Sequence, residues 1–246
     1  LLGHAALAGG LIFASDHMPA LRKGRLKYLS QVLPPADASA RPLDLFENEL
    51  PQCLALLVCR PWGEWLVVAV MNWRDRMITS ELNLDALGYG GHPCHVFNYW
   101  PRRYMGIARG SVPLERHMPH ELVVLLIKPA TDEPALLATT FHVAQTLAEV
   151  TNVARRDGPD EAPSLEIALA AGRRAGEVWL TYPDHLRLAG ASLDGRRRKA
   201  CVNTLGSVHL GLSLTKPARV RFDFAPLAPA ATNQPVDAAI DSIDEG

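Results

Sequence analysis

Two hydrophobic periods succeed one another along this chain, and the change between them divides it. Near the start, Leu11-Ile12-Phe13-Ala14 is an unbroken apolar run stopped by Ser15-Asp16, the pattern of a short buried strand with a polar end. From His17 to Leu33 the apolar positions Met18, Leu21, Tyr28, Leu29 and Val32 recur at three- and four-residue steps. That spacing predicts a helix, closed by Pro34-Pro35. Pro19 falls in its first turn, where a missing N–H costs nothing, and Gly24 weakens the helix without breaking it.

Residues 36–51 have little period and read as a linker. Beyond them the pattern shortens to strand length. Cys53–Arg60 and Trp65–Trp73 flank the turn Pro61-Trp62-Gly63-Glu64 and predict a hairpin. Met77–Leu84, His95–Trp100, Ser111–Leu114, Glu121–Ile127 and Leu137–Gln145 are further strand candidates, separated by Gly- and Pro-containing segments. Short strands at this spacing predict an antiparallel sandwich. Alternation continues in Leu165/Ile167/Leu169, Val178/Leu180/Tyr182, Leu186/Leu188 and Val220/Phe222/Phe224, each strand with one apolar and one polar face. Asp157–Asp160 and Gly172–Gly176 read as loops, and from Ala228 the Ala-, Pro-, Asn- and Asp-rich tail predicts disorder.

The expected organisation is therefore a terminal β/α unit at residues 1–35, a sandwich at 36–145, a second small β module at 146–226 and a tail at 227–246. The fold class is mainly β.

Composition narrows the functional classes. The 246 residues are 48% hydrophobic and 21% charged, ordinary for a globular protein, and the net charge of -1 offers no electrostatic basis for binding nucleic acid or an anionic membrane. No uncharged apolar run reaches the length of a membrane span. Cys53, Cys59, Cys94 and Cys201 form no CxxC pair and no metal-finger spacing, so buried free thiols are expected and no metal or cofactor is implied.

Few residues stand out chemically. Asp16 closes the apolar strand and opens the helix. A carboxylate at the C-terminal end of a barrel strand faces a substrate mouth, yet Ser15 or Asp16 ahead of Pro19 is also the pattern of a helix N-cap, the commoner use of such residues. His17, beside it, carries a weaker form of the same expectation. The pairs His92/His95 and His117/His120 lie at turns with no ligand partners in sequence, and Arg196-Arg197-Arg198-Lys199 is too short a basic run to be more than a solvated turn. Trp62, Trp65, Trp73, Phe97, Tyr99 and Trp100 could build a sugar-stacking platform, although sheets more often use aromatics for cross-strand packing.

Gly9–Asp16, followed by a helix ending Val32-Leu33-Pro34-Pro35, resembles the closing strand and helix of the catalytic barrel in α-galactosidase-type glycoside hydrolases, the melibiase and raffinose-synthase-like group. Ala40–Phe46, Val68–Trp73, Val96–Trp100 and Pro119-His120-Glu121 resemble pieces of the C-terminal sandwich of the same enzymes, in the same order. The resemblance covers about residues 1–145.

It implies a retaining glycosidase working through two carboxylates and a covalent glycosyl intermediate. Both would lie on earlier barrel strands, so no catalytic residue is carried over to this chain. Asp16 and His17 are the expected substrate-binding residues, at the rim of a pocket. The expectation is a C-terminal fragment of an α-galactoside hydrolase, a (β/α)8 barrel's last strand and helix followed by supporting sandwiches. Its partner would be an α-galactoside oligosaccharide, reached through the barrel. The alternative is a non-catalytic carbohydrate-binding or structural β module.

Overall fold

The computed structural model describes residues 2–13, 17–36, 38–158, 161–172, 175–203 and 205–227. Two short helices lead, α1 (Leu2–Leu7) and α2 (Lys23–Val32), with a single 3-10 turn at Met18–Ala20 between them. The first strands are β1 (Arg41–Pro42), β2 (Cys53–Arg60), β3 (Gly63–Met71), β4 (Ile78–Asn83), β5 (Cys94–Asn98), β6 (Arg103–Ala108), β7 (Ser111–His117) and β8 (Leu122–Pro129). Then come β9 (Ala135–Thr139), β10 (Val150–Gly158), β11 (Glu161–Leu169), β12 (Ala175–Thr181), β13 (Leu186–Leu193), β14 (Arg196–Arg197), β15 (Cys201–Asn203), β16 (Ser207–Ser213) and β17 (Ala218–Pro226).

The strands form four antiparallel sheets. A six-stranded sheet runs β1-β2-β3-β8-β5-β6 and a two-stranded one pairs β4 with β7. The other two run β10-β11-β17-β13-β14 and β15-β16-β12-β9. The mainly β, antiparallel expectation is met, and the hairpin of β2 and β3 closes at Pro61-Trp62 in register from Arg60↔Gly63 to Cys53↔Val70.

Alternation explains the layers, because successive side chains on a strand point to opposite faces. Ala55, Leu66, Val68, Val96, Leu125 and Ile127 on one face of the six-stranded sheet pack with Leu82, Val112 and Leu114 of the β4–β7 ribbon. Leu56, Trp65, Val67, Phe97, Val124 and Leu126 on the other face pack with Ala6 and Leu7 of α1, Val32 of α2, and Leu137, Val143 and Trp179. Both faces are covered, so the central strands β3 and β8 read as continuous apolar runs. The five- and four-stranded sheets enclose their own core, centred on Ile167, Val178, Leu180, Val208, Val220, Phe222 and Phe224.

Three expectations are corrected. Leu11–Phe13 is not a strand: no described strand pairs with it, and Leu11 and Phe13 stand 84% and 81% exposed. The helix expected over His17–Leu33 is broken, with Leu21 and Arg22 extended and α2 confined to Lys23–Val32. Its opening turn carries Lys23 and Arg25 and no acid. Cations there oppose the helix dipole, and a helix this short depends on the packing of Leu29, Val32 and Leu33 against the sheet.

The strand expected over Leu137–Gln145 is β9, which ends at Thr139 and pairs with β12. It therefore belongs to the second sandwich, and residues 140–149 form turns at the seam. Alternation could not reveal this, because β9 is buried on both sides. The four cysteines are free, but only Cys94 is buried; Cys59 and Cys201 are exposed. The tail expected to be disordered, from Ala228 on, lies outside the described residues.

Candidate functional site

Of the two expected substrate-binding residues, Asp16 lies outside the described residues. His17 is exposed and precedes the 3-10 turn without capping it through its side chain. Arg22, the residue before α2, likewise makes no side-chain cap.

The aromatic platform resolves into packing. Trp65, Phe97 and Tyr99 are buried, with Phe97 tilted against Trp179 at 5.1 Å and Tyr99 edge-on to Trp100 at 4.9 Å. The histidine pairs are split. His92 is exposed while His95 is buried, and His117 is buried on Glu121 O and Ser80 while exposed His120 meets Asp75. Among the described residues no three His, Cys, Asp or Glu side chains gather as a metal-ligand set, and no helix is long and apolar enough to cross a membrane.

What the chain does bring together is a group of polar side chains between the two sandwiches. β5 and β8 pair with His95 opposite Lys128. His95 Nδ1 lies 2.7 Å from the Tyr104 hydroxyl on β6. Lys128 donates to Leu136 O at 2.8 Å and its Nζ sits 5.6 Å from the centre of the Trp65 ring. The second sandwich meets these residues with the turn after β12, Tyr182-Pro183-Asp184-His185, and with Leu205-Gly206 ahead of β16. Together they wall a cavity of about 430 Å³. Its floor is buried: His95, Tyr104 and Thr181 are 7%, 7% and 2% exposed. Asp132, Asp184 and His185 form an exposed rim, with His185 Nδ1 4.0 Å from Asp132 Oδ1.

Burial governs the charges here. It lowers the His95 pKa to about 4, helped by the Lys128 charge, so the imidazole is neutral at ordinary pH. Burial, with the nearby Asp184 charge, pushes Tyr104 up to about 12, so its phenol keeps its proton. Burial also brings Lys128 down to about 8. Tyr182 is raised by burial and again by Asp184. A buried neutral histidine hydrogen-bonded to a protonated tyrosine makes an uncharged floor, with half-buried Lys128 on the strand beside it. The carboxylates of Asp132 and Asp184 stand at the solvent rim.

A second cavity of about 440 Å³ shares Thr131 as a wall and continues along the β8–β9 connection past Trp62, Lys128, Glu133 and Arg155. Arg155 is ion-paired with Glu133. Another cavity, of about 590 Å³, lies elsewhere, on the outer face of the six-stranded sheet beside Leu57, Leu66 and Leu87, and it is mostly apolar.

Sequence reasoning missed this cleft. Its residues come from six separate strands or turns, and nothing in the local sequence marks His95 as one of them. No protein-family model matches the chain, and no curated protein matches it.

Proposed function

We propose that this chain is the C-terminal β portion of a retaining glycoside hydrolase acting on α-galactosides, with its sandwiches supporting the last unit of a catalytic barrel. The observation that carries this reading is where apolar surface is left uncovered. Among the described residues, eight of the fifteen exposed large apolar side chains fall within the first fifty positions, among them Leu11, Phe13 and Phe46, the last 99% exposed. Isolated exposed leucines are common, but their concentration in one segment supports a reading in which another body packs on it.

The leading segment is also tied firmly to the sandwich. Leu7 O accepts from Ala40 N, Gln31 O accepts from Val143 N, and His142 Nε2 lies 2.8 Å from Pro34 O. A barrel ending in this segment would be held in place by those contacts. In this reading Asp16 and His17 approach the substrate from the rim, and the two catalytic carboxylates lie on the barrel outside this chain. The α-galactoside is a substrate of the whole enzyme.

The test is turnover. Residues 1–246 alone should release no nitrophenol from nitrophenyl α-galactoside, whereas a longer chain that includes a β/α barrel upstream of Leu1 should. Turnover by residues 1–246 that survives Asp16→Ala would overturn the reading.

A further inference from the structure

We propose that the cleft between the two sandwiches binds a neutral saccharide, one ring over His95, Tyr104 and Thr181 and the next beyond Thr131 toward Trp62. This site belongs to the described chain and stands independently of any barrel.

Thr181 carries the argument. It is 2% exposed, it lines the cavity, and its hydroxyl has no hydrogen-bond partner among the described residues. Its cross-strand neighbour Ser207, fully buried, also has an unpartnered hydroxyl. Buried hydroxyls are nearly always paired, and an unpaired one costs stability unless a water or ligand completes it. In the adjoining cavity the indole N–H of Trp62 is likewise buried without a partner among the described residues. Two neighbouring cavities that share one wall thus each hold an unspent polar group.

Charge selects the ligand class. Among the described residues lining the first cavity, the basic side chains are His95, which burial keeps neutral at ordinary pH, and His185, which faces Asp132. That gives a phosphate or sulfate little cationic complement on the wall. Asp184 is the remaining carboxylate. It stands at the solvent rim, where it can accept from ligand hydroxyls. The Tyr104 phenol remains protonated at neutral pH. Neutral hydroxyls, one carboxylate and flanking aromatic rings match the alternating polar edge and apolar face of a sugar. A volume of about 430 Å³ is within the range of small-molecule sites, and the seam between two domains is where such sites concentrate.

The test uses residues 1–246, with saturation-transfer NMR and calorimetry against galactose, glucose, melibiose, maltose and cellobiose, and with inorganic phosphate and spermidine as competitors. At least one disaccharide should bind, and more tightly than either monosaccharide. Thr181→Val removes an unpartnered hydroxyl at nearly constant volume, so it should leave the melting temperature unchanged or raised while weakening the sugar by roughly tenfold. Asp184→Asn, at an exposed position, should weaken it similarly. Trp62→Ala should weaken the disaccharide and spare the monosaccharide. Absence of saccharide binding, binding unchanged in both Thr181→Val and Asp184→Asn, or displacement of the sugar by phosphate or spermidine would each overturn the proposal. Failure of the α-galactoside assay leaves these outcomes untouched, because they are read on binding alone.

Discussion

Arg102, on the turn between β5 and β6, donates to Glu177 Oε1 on β12 at 2.8 Å, and so links the first sandwich to the second. The other oxygen of Glu177 accepts from Trp179 Nε1 at 2.9 Å, and the Trp179 ring stacks on His209 at 4.2 Å. Glu177 therefore serves both the seam and the ring that fills it. The two side chains of the ion pair are 27% and 20% exposed, shielded enough for a charge-assisted bond to count. Arg102→Ala is expected to cost about 1 kcal/mol and Glu177→Ala about 2 kcal/mol, since the second also removes the acceptor of the Trp179 indole N–H. Urea unfolding of both variants checks the order, and equal losses would contradict it.

Gly176, one residue earlier, is required by contact rather than by backbone angle. A Cβ built there would stand 2.6 Å from the ring of Phe141, itself 2% exposed and without room to retreat. Gly176→Ala should destabilise the fold by about 3 kcal/mol through overpacking. Gly211, with nothing within 4 Å of a built Cβ, is the control: Gly211→Ala should change the thermal midpoint far less.

Acid stability should carry the signature of His95. Its pKa falls from 6.5 to about 4 on folding, through burial and then the Lys128 charge. The unfolded chain therefore binds a proton at a pH where the folded chain does not, and stability declines as pH falls from about 6.5 to about 4, with no further loss from this group below that. Between pH 7 and pH 4.5 the loss is about 2 kcal/mol from His95 alone. His95→Gln should flatten that part of the profile, and an unchanged slope in the variant would assign the acid loss to other groups.

Asn72 is fully buried where β3 ends. Its Nδ2 donates to the carbonyls of Arg76, His117 and Met118 at 2.9 to 3.0 Å, and its Oδ1 accepts from Arg74 N at 3.0 Å. One side chain thus anchors the loop after β3 to the turn before β8. Asn72→Ala leaves several buried carbonyls unpaired and should cost about 3 kcal/mol. Asn72→Asp, which replaces the donor with an acceptor, should be at least as damaging. Both are measurable by denaturant unfolding, and a cost under about 1 kcal/mol would show that water restores the network.

Much of the strand content was legible because alternation is a local property. Cys53–Arg60 coincides with β2, and Val220/Phe222/Phe224 is the buried face of β17. The missed strands have local reasons too. β6 carries Gly106 and irregular burial, and β16 alternates around Gly211. Leu11–Phe13 misled in the opposite direction, because an apolar run makes a strand only when a neighbouring strand offers its backbone hydrogen bonds.

The sequence by itself determined the class of structure: antiparallel strands, short turns, a leading segment of different character and a charge balance that favours neither nucleic acid nor anionic membranes. Side-chain period and composition are properties of neighbouring residues, and they survive without coordinates. Tertiary structure alone decided that β9 leaves the first sandwich for the second, that Trp65, Phe97 and Tyr99 are core, and that His95, Tyr104, Thr181 and Asp184 share one cleft. Those relations depend on which surfaces meet across long stretches of chain. Burial, which neutralises His95 and leaves the Thr181 hydroxyl unpaired, exists only once they have met.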